Sequence, residues 1–376
     1  MLFRSTAQLD EIASRPGMRA VAGFPDLHPG RYGPVGCAAL ADRLYPLLVG
    51  NDIGCGMSLF ALDLAARKLR PDKAAERLRA LEGSWDGPAA ERLDRAGLPP
   101  SLHPLALGTI GGGNHFCEVQ IVDDLAAPIV GIEAGSLVLL VHSGSRGLGT
   151  EVFATIADRN EGLALGTAEA DAYLAAHDAA VRWASLNRSV IAERAAEALR
   201  TDLEVVADAP HNLIEVEGNL ALHRKGAAKA DGGLVPLAGS RDAPSFLLRP
   251  LSHAPSEALR SLAHGAGRKY DRSSMHGRVG RTRSEREALA RNASGGRVVC
   301  EDRALLIEEA PSAYKAVERV LSDLVEAGLA EPVATLRPLV TFKRASDEPP
   351  DRKRARPDRE RVRSDRTKGV RRGRGR

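Results

Sequence analysis

A chain of 376 residues with 43% hydrophobic and 4% aromatic residues can bury a substantial core, in one large domain or two ordinary ones. Its net charge of +4 hides two regions: residues 351–376 hold 13 Lys/Arg against 4 Asp/Glu, leaving 40 basic and 45 acidic groups in residues 1–350. The body is mildly acidic and the basicity lies in the tail.

The first fifteen residues carry Arg4, Asp10, Glu11 and Arg15 and contain no apolar stretch resembling a signal peptide. In chain order, strands are expected at 57–62, 117–122 and 137–142, with a helix at 73–81 between the first two. The strongest apolar run, residues 137–141, is far too short to span a bilayer. Residues 168–199 are Ala-rich and free of Gly and Pro, and predict a long helix with Tyr173, Leu174, Val181, Leu186 and Ile191 toward the core. Strands follow at 203–206 and 245–248, then an Arg-, Ser- and Gly-rich stretch at 276–297 that reads as a mobile surface insertion. A strand at 303–307, a helix at 313–326 and a strand at 339–342 complete the folded part. Helices and strands mix without regular βαβ alternation, so the expected class is α+β, with a single domain over residues 1–343. Residues 344–376 are expected to be a disordered Arg-rich tail able to condense on RNA phosphates.

Four cysteines, Cys37, Cys55, Cys117 and Cys300, show no C-x-x-C pairing, which excludes a zinc ribbon and argues against a disulfide framework. A reducing, cytoplasmic compartment is the expectation. Cys55 stands instead in Asn51-Asp52-Ile53-Gly54-Cys55-Gly56, where a carboxylate and a thiolate three residues apart can converge on a cation. Six of the ten histidines sit in similar glycine- or asparagine-punctuated motifs. His115 follows the glycine-rich loop 108–113, His142 closes a predicted strand, and His211 lies in Pro210-His211-Asn212. Each alone reads as a hydrogen-bonded structural histidine. Together, one carboxylate, one thiolate and three imidazoles suit one or two Mn²⁺, Zn²⁺ or Fe²⁺ ions.

A second group of motifs suits phosphate chemistry. In His264-Gly265-Ala266-Gly267-Arg268, small neighbours let an imidazole reach a phosphorus atom while a guanidinium steadies phosphate oxygens. His223-Arg224-Lys225-Gly226 offers three further phosphate-binding side chains, and Leu237-Ala238-Gly239-Ser240 offers backbone N–H groups and a hydroxyl. There is no G-x-x-x-x-G-K-[ST] loop, which excludes a P-loop NTPase, and no G-x-G-x-x-G leading from strand to helix.

The order and wording of these motifs, from about residue 25 to Lys343, resemble the RtcB family of GTP- and manganese-dependent RNA ligases. The resemblance rests on Asp52-Ile53-Gly54-Cys55-Gly56, Gly113-Asn114-His115-Phe116 with Glu118, His142-Ser143-Gly144-Ser145-Arg146-Gly147, His223-Arg224-Lys225-Gly226 and His264-Gly265-Ala266-Gly267-Arg268. Gly23-Phe24-Pro25-Asp26-Leu27-His28-Pro29-Gly30 resembles the shorter branch coupled to peptide-chain release factor H, associated with repair of cleaved ribosomal RNA. The resemblance implies a fold with mixed sheets around a central metal and nucleotide cleft. It further implies that Asp52, Cys55, His115, His142 and His211 hold two Mn²⁺ ions, with Cys55 bridging, and that His264 becomes guanylated by GTP. Asn114, Glu118, Asn212, Ser240 and Lys343 would hold the guanylate or its base. The implied reaction joins an RNA 3′-phosphate or 2′,3′-cyclic phosphate end to a 5′-hydroxyl end.

The chain departs from the family wording at Ala238-Gly239-Ser240-Arg241-Asp242, where Pro-Gly-Ser-Met-Gly is usual, and at Lys269-Tyr270-Asp271-Arg272. Lys343 is also followed by a basic extension where the family typically stops. Two other functions compete: a metal-dependent hydrolase opening cyclic phosphates, which would need neither His264 nor Lys343, and a non-catalytic RNA- or ribosome-binding partner of a release factor.

Overall fold

Antiparallel pairing organises most of the chain in the computed structural model, which describes residues 2–344. The main sheet has eight strands. Seven follow in the order Val235–Leu237, Ser245–Pro250, Ala330–Phe342, Phe116–Leu125, Leu137–Ser143, Gly56–Leu62 and Leu203–Pro210, and Arg297–Val299 pairs parallel beside Ala330–Phe342. The first and last strands of the series lie against each other, so the sheet nearly closes. Its interior strands are apolar: Leu137–Val141 is fully buried, as is Leu59.

The register of this sheet does the work of gathering the motifs. Gly56 faces Ser143 on one side and Pro210 on the other. Phe116 faces His142, and Phe342 faces Cys117. Residues just beyond these pairs, including Cys55, His115, His211 and Lys343, therefore emerge at one end of the sheet. Side chains far apart in the chain are brought together by strand pairing alone.

The helix Ala168–Leu199 has the bounds read from sequence and packs across the strands Gly56–Leu62 and Leu137–Ser143. Thr167 caps it by accepting from the Ala170 N–H, with Glu169 and Asp171 in the first turn, where negative charge suits the helix dipole. Arg200 ends it in the left-handed conformation. Tyr173 and Ile191 are buried as expected, while Leu174, Val181 and Leu186 are only partly so. Trp183, fully buried and donating to the Leu102 carbonyl at 3.0 Å, is the largest core contact of this helix. Removing its ring would cost about 3–5 kcal/mol.

A second, four-stranded sheet runs Met18–His28, Val35–Ala41, Leu220–Lys225 and Asn212–Glu217. A short pair, Ala227–Lys229 with Ser261–Ala263, connects it to the His264 motif, because His264 follows Ala263 directly.

Three expectations change. Residues 303–307 are not a strand but the core of the helix Arg303–Glu308, started by Asp302, whose carboxylate accepts from the Ala304 and Leu305 N–H groups. The apolar run suited either element, and the cap decided it. The helix expected at 313–326 begins later, at Val317, after a tight turn at Pro311–Ala313. The helix expected at 73–81 is Pro71–Leu78 continued as a 3₁₀ turn, Arg79–Leu81. The stretch 276–297 lies largely on the surface and contains the helix Arg283–Ala288. Apart from Arg344, the tail expected to be disordered lies outside the described residues. Among the described residues, no helix is long and apolar enough to cross a membrane.

Candidate functional site

One cleft of about 290 Å³ is lined by Asp52, Cys55, Asn114, Glu118, His142, His211, Asn212, Ser240, His264 and Lys343. His115 reaches the same place from behind through Asp52 and Cys55. Every residue that the family resemblance implies for the metal, the guanylated histidine or the guanylate is thus in one neighbourhood.

At one end, Cys55, His115 and His142 present donor atoms within 4.8 Å of one another. The Cys55 Sγ is 3.4 Å from Nε2 of His115 and 3.2 Å from Nε2 of His142, and Asp52 Oδ2 is 2.9 Å from the same His115 nitrogen. The far ring nitrogens are tied down: Nδ1 of His115 lies 3.1 Å from the Ile110 carbonyl and Nδ1 of His142 lies 3.2 Å from that of Asn114. Donation to those carbonyls puts a proton on each Nδ1 and turns each Nε2 toward the thiol. The His211 ring stands 5.1 Å from the His142 ring, and its buried Nδ1 has no partner. Burial holds His142 and His211 well below the usual histidine range, so both are neutral and ready to ligate.

Burial, then the charge of Asp52, pushes the Cys55 thiol well above its ordinary value. A divalent cation reverses that logic by stabilising the thiolate directly. Burial also pushes the Asp52 carboxyl up, but His115, Cys55 and Arg146 more than offset this and leave it low. A thiolate, a carboxylate, two oriented imidazoles and a third with an orphaned nitrogen fit a borderline transition-metal ion. The approach is close enough to require glycine: a Cβ on Gly144 would lie 2.0 Å from Oδ1 of Asp52.

Behind this cluster, Arg188 is fully buried and donates to the carbonyls of Gly54 at 2.8 Å and Ser143 at 3.2 Å. Nε and Nη2 of the same side chain grip Asp208 Oδ1 at 2.9 and 2.7 Å. Asn212 adds a second tie, donating to the Asp52 carbonyl at 3.1 Å and accepting from the Gly226 N–H at 2.8 Å.

His264 lies next to the cluster, its ring 4.6 Å from that of His211. Its Nδ1 is 2.7 Å from Oδ2 of Asp26, within ion-pairing distance though off the hydrogen-bond axis. Its backbone N–H donates to the same oxygen at 3.3 Å. Asp26 is fully buried, so its carboxylate has few other ways to be solvated. His28 completes this corner and is pushed down to about 4 by burial. Gly267, at φ +69, passes so close that a Cβ would sit 2.1 Å from the Asp26 carbonyl oxygen.

The other end of the cleft is a buried charge network. Glu118 accepts from Gln120 at 2.6 Å and from Thr341, and burial pushes its carboxyl up against these opposing contacts. Lys343 donates to the His115 carbonyl at 3.1 Å and stands 3.7 Å from Glu309. Burial lowers its ammonium, opposed by Glu309. Glu309 is also held by Arg268 at 2.9 Å, Arg272 at 3.3 Å and the Tyr314 hydroxyl.

Three expectations change here. His223 is buried between the Ala39 carbonyl and the Tyr45 N–H, and Arg224 is committed to Glu215, Ser261 and the Arg260 carbonyl. Both hold the sheet together and do not reach the cleft. Arg268 lines the cleft but spends three of its five donors on Tyr270, Glu309 and Glu308. The Ala238 and Gly239 N–H groups are likewise engaged, with the His264 carbonyl and Ser245 Oγ. The sequence motifs include Asp26 and Arg241 without assigning them roles, and they leave Arg188 and Glu309 unmarked. No local motif marks the last two.

Known proteins resemble this chain over most of its length. The family model described as tRNA-splicing ligase RtcB matches residues 8–92 and 103–344. The chain is 43% identical over 353 residues to RNA-splicing ligase RtcB2 of Escherichia coli, covering 90% of this chain and 91% of that protein. It is 28% identical to tRNA-splicing ligase RtcB of Archaeoglobus fulgidus and 29% identical to RNA-splicing ligase RtcB of Mycobacterium bovis, each over 89% of this chain. These alignments cover 90% and 100% of those two proteins.

Proposed function

The chain belongs to the RtcB family of RNA ligases, and from that premise and the site's geometry we propose that it joins RNA 3′-phosphate or 2′,3′-cyclic phosphate ends to 5′-hydroxyl ends through a guanylated His264. The observation that carries this reading is the meeting of an oriented imidazole and a ligand cluster: His264, set against buried Asp26, beside Cys55, His115, His142 and His211. A hydrolase of cyclic phosphates would need only the cluster.

Asp52, Cys55, His115, His142 and His211 would hold two Mn²⁺ ions, which supply positive charge to phosphoryl oxygens. The residues do the rest. The adjacent Asp26 carboxylate electrostatically favours the proton of His264 on Nδ1, which leaves the Nε2 lone pair to attack the α-phosphorus of GTP. A nitrogen–phosphorus bond forms, the bond to pyrophosphate breaks, and Asp26 stabilises the imidazolium character that develops. An RNA 3′-phosphate oxygen, obtained where necessary by hydrolytic opening of the cyclic ester, then displaces His264 and takes the GMP. Finally the 5′-hydroxyl oxygen attacks that 3′-phosphorus, loses its proton and expels GMP. Imidazole serves as both nucleophile and leaving group at neutral pH.

Glu118 and Lys343 place an acceptor and a cationic donor in the base end of the cleft, with Asn114, Asn212 and Ser240 along its walls. The setting we infer is cytoplasmic repair of cleaved ribosomal RNA or transfer RNA in partnership with peptide-chain release factor H or the ribosome, supported by the wording of residues 23–30. The test is joining of a 3′-phosphate RNA to a 5′-hydroxyl RNA with GTP and Mn²⁺. Joined product that disappears in His264→Ala is expected. Cyclic-phosphate opening without joining would give the hydrolase reading instead.

A further inference from the structure

Arg241 is a buried cation with unmet donors. It is 6% exposed, and its Nε and Nη1 are buried without a hydrogen-bond partner, while Nη2 donates to the Leu306 carbonyl at 3.3 Å. Such a group is costly unless something supplies acceptors. The side chain lines the same cleft as His264.

Its position within the cleft selects the ligand. The Leu306 carbonyl that holds Arg241 belongs to the helix Arg303–Glu308, which leads directly into Glu309, 3.7 Å from Nζ of Lys343. Arg241 and Lys343 both act on Glu118. At the other end, the His264 ring lies 4.6 Å from that of His211, which in turn lies 5.1 Å from that of His142. A nucleotide whose α-phosphorus meets His264 among the histidines therefore extends its base toward Arg241, Lys343 and Glu118.

We propose that Arg241 is a specificity-determining residue that reads the O6/N7 edge of the guanine base, donating to N7 with O6 alongside. That edge of guanine carries acceptors only, and an arginine donates to it well; adenine places an amino donor beside N7 and would face the guanidinium with a like group. Glu118 faces the opposite chemistry, because guanine's N1–H and N2 amino group donate. A carboxylate flanked by two buried cations thus matches guanine's donor edge and its acceptor edge at once. The inference deepens the ligase reading and rests on it for the placement of the phosphate.

The test is equilibrium binding of GMP and of 7-deaza-GMP, which lacks the N7 acceptor, to the full chain with Mn²⁺. The parent, Arg241→Met and Arg241→Lys are compared. Loss of one hydrogen bond to a charged donor leaves the parent preferring GMP by roughly tenfold or more. In Arg241→Met the two nucleotides bind alike, because no donor remains to sense N7, and Arg241→Lys keeps part of the preference. A parent that binds both equally overturns the inference without recourse to any variant. So does an Arg241→Met protein that weakens both ligands together while keeping the preference, which would make Arg241 a phosphate contact. A parent that binds neither GMP nor its analogue overturns this assignment and the ligase reading together, whereas GMP binding with an unchanged Arg241→Met preference overturns this assignment alone.

Discussion

Asp26 and His264 are 238 residues apart in the chain, and Oδ2 of the first lies 2.7 Å from Nδ1 of the second. The carboxylate is fully buried, accepts from the backbone N–H of the histidine and sits at ion-pairing distance from its ring. If His264 is the nucleophile, Asp26 sets which nitrogen carries the proton. Asp26→Asn should therefore slow formation of the histidine–GMP adduct by about a hundredfold while leaving GTP affinity within a few fold. Single-turnover guanylation beside a binding isotherm separates these effects. An unchanged rate would remove Asp26 from the chemistry.

Cys55 occupies the centre of the ligand cluster, within 3.4 Å of both His115 and His142. Cys55→Ala should abolish joining and lower the metal content of protein dialysed against Mn²⁺, measured by mass spectrometry of the metal. Chelation of the parent should also abolish joining, and added Mn²⁺ should restore it. Substantial joining by Cys55→Ala contradicts the ligand assignment.

His223 makes a pH prediction apart from the cleft. It is buried and neutral, held down to about 4 from the ordinary 6.5, and its Nε2 accepts from the Tyr45 N–H. Protonation requires breaking that bond. Above pH 6.5 the histidine is neutral in both folded and unfolded chains and contributes no slope. Between 6.5 and 4 only the unfolded chain takes up the proton, so stability falls with pH, by about 3 kcal/mol for this group. Urea unfolding at pH 7 and pH 4.5 should show that loss in the parent and a smaller one in His223→Gln. Equal losses would contradict it.

Truncation after Arg344 removes 13 Lys/Arg and 4 Asp/Glu in residues 351–376. Guanylation should be unaffected, because Lys343 is already buried in the cleft. RNA affinity should become less dependent on salt, since fewer counterions are released on binding. Loss of guanylation would place the extension within the site.

The site was more legible than the fold around it. Asp52, Cys55, His115, His142, His211 and His264 stand in turns with glycine or asparagine, so their local wording survives without the tertiary context. The long helix was equally plain, since nothing in residues 168–199 interrupts it. Less legible were the strands Met18–His28 and Val35–Ala41. The first contains Gly23 and Pro25, the second is rich in alanine, and both owe their form to pairing with distant partners. Asp302 was an available signal that residues 303–307 begin a helix, but four consecutive apolar residues outweighed it. Arg188 and Glu309 act through partners scattered across the chain, and no spacing rule reaches them.

The most direct measurement is the intact mass of the purified protein after incubation with GTP and Mn²⁺, with His264→Ala in parallel. A GMP-sized increase in the parent that is absent from the variant is the predicted result. An equal increase in both proteins, or none in the parent while it still opens cyclic phosphates, would contradict His264 as the guanylated nucleophile.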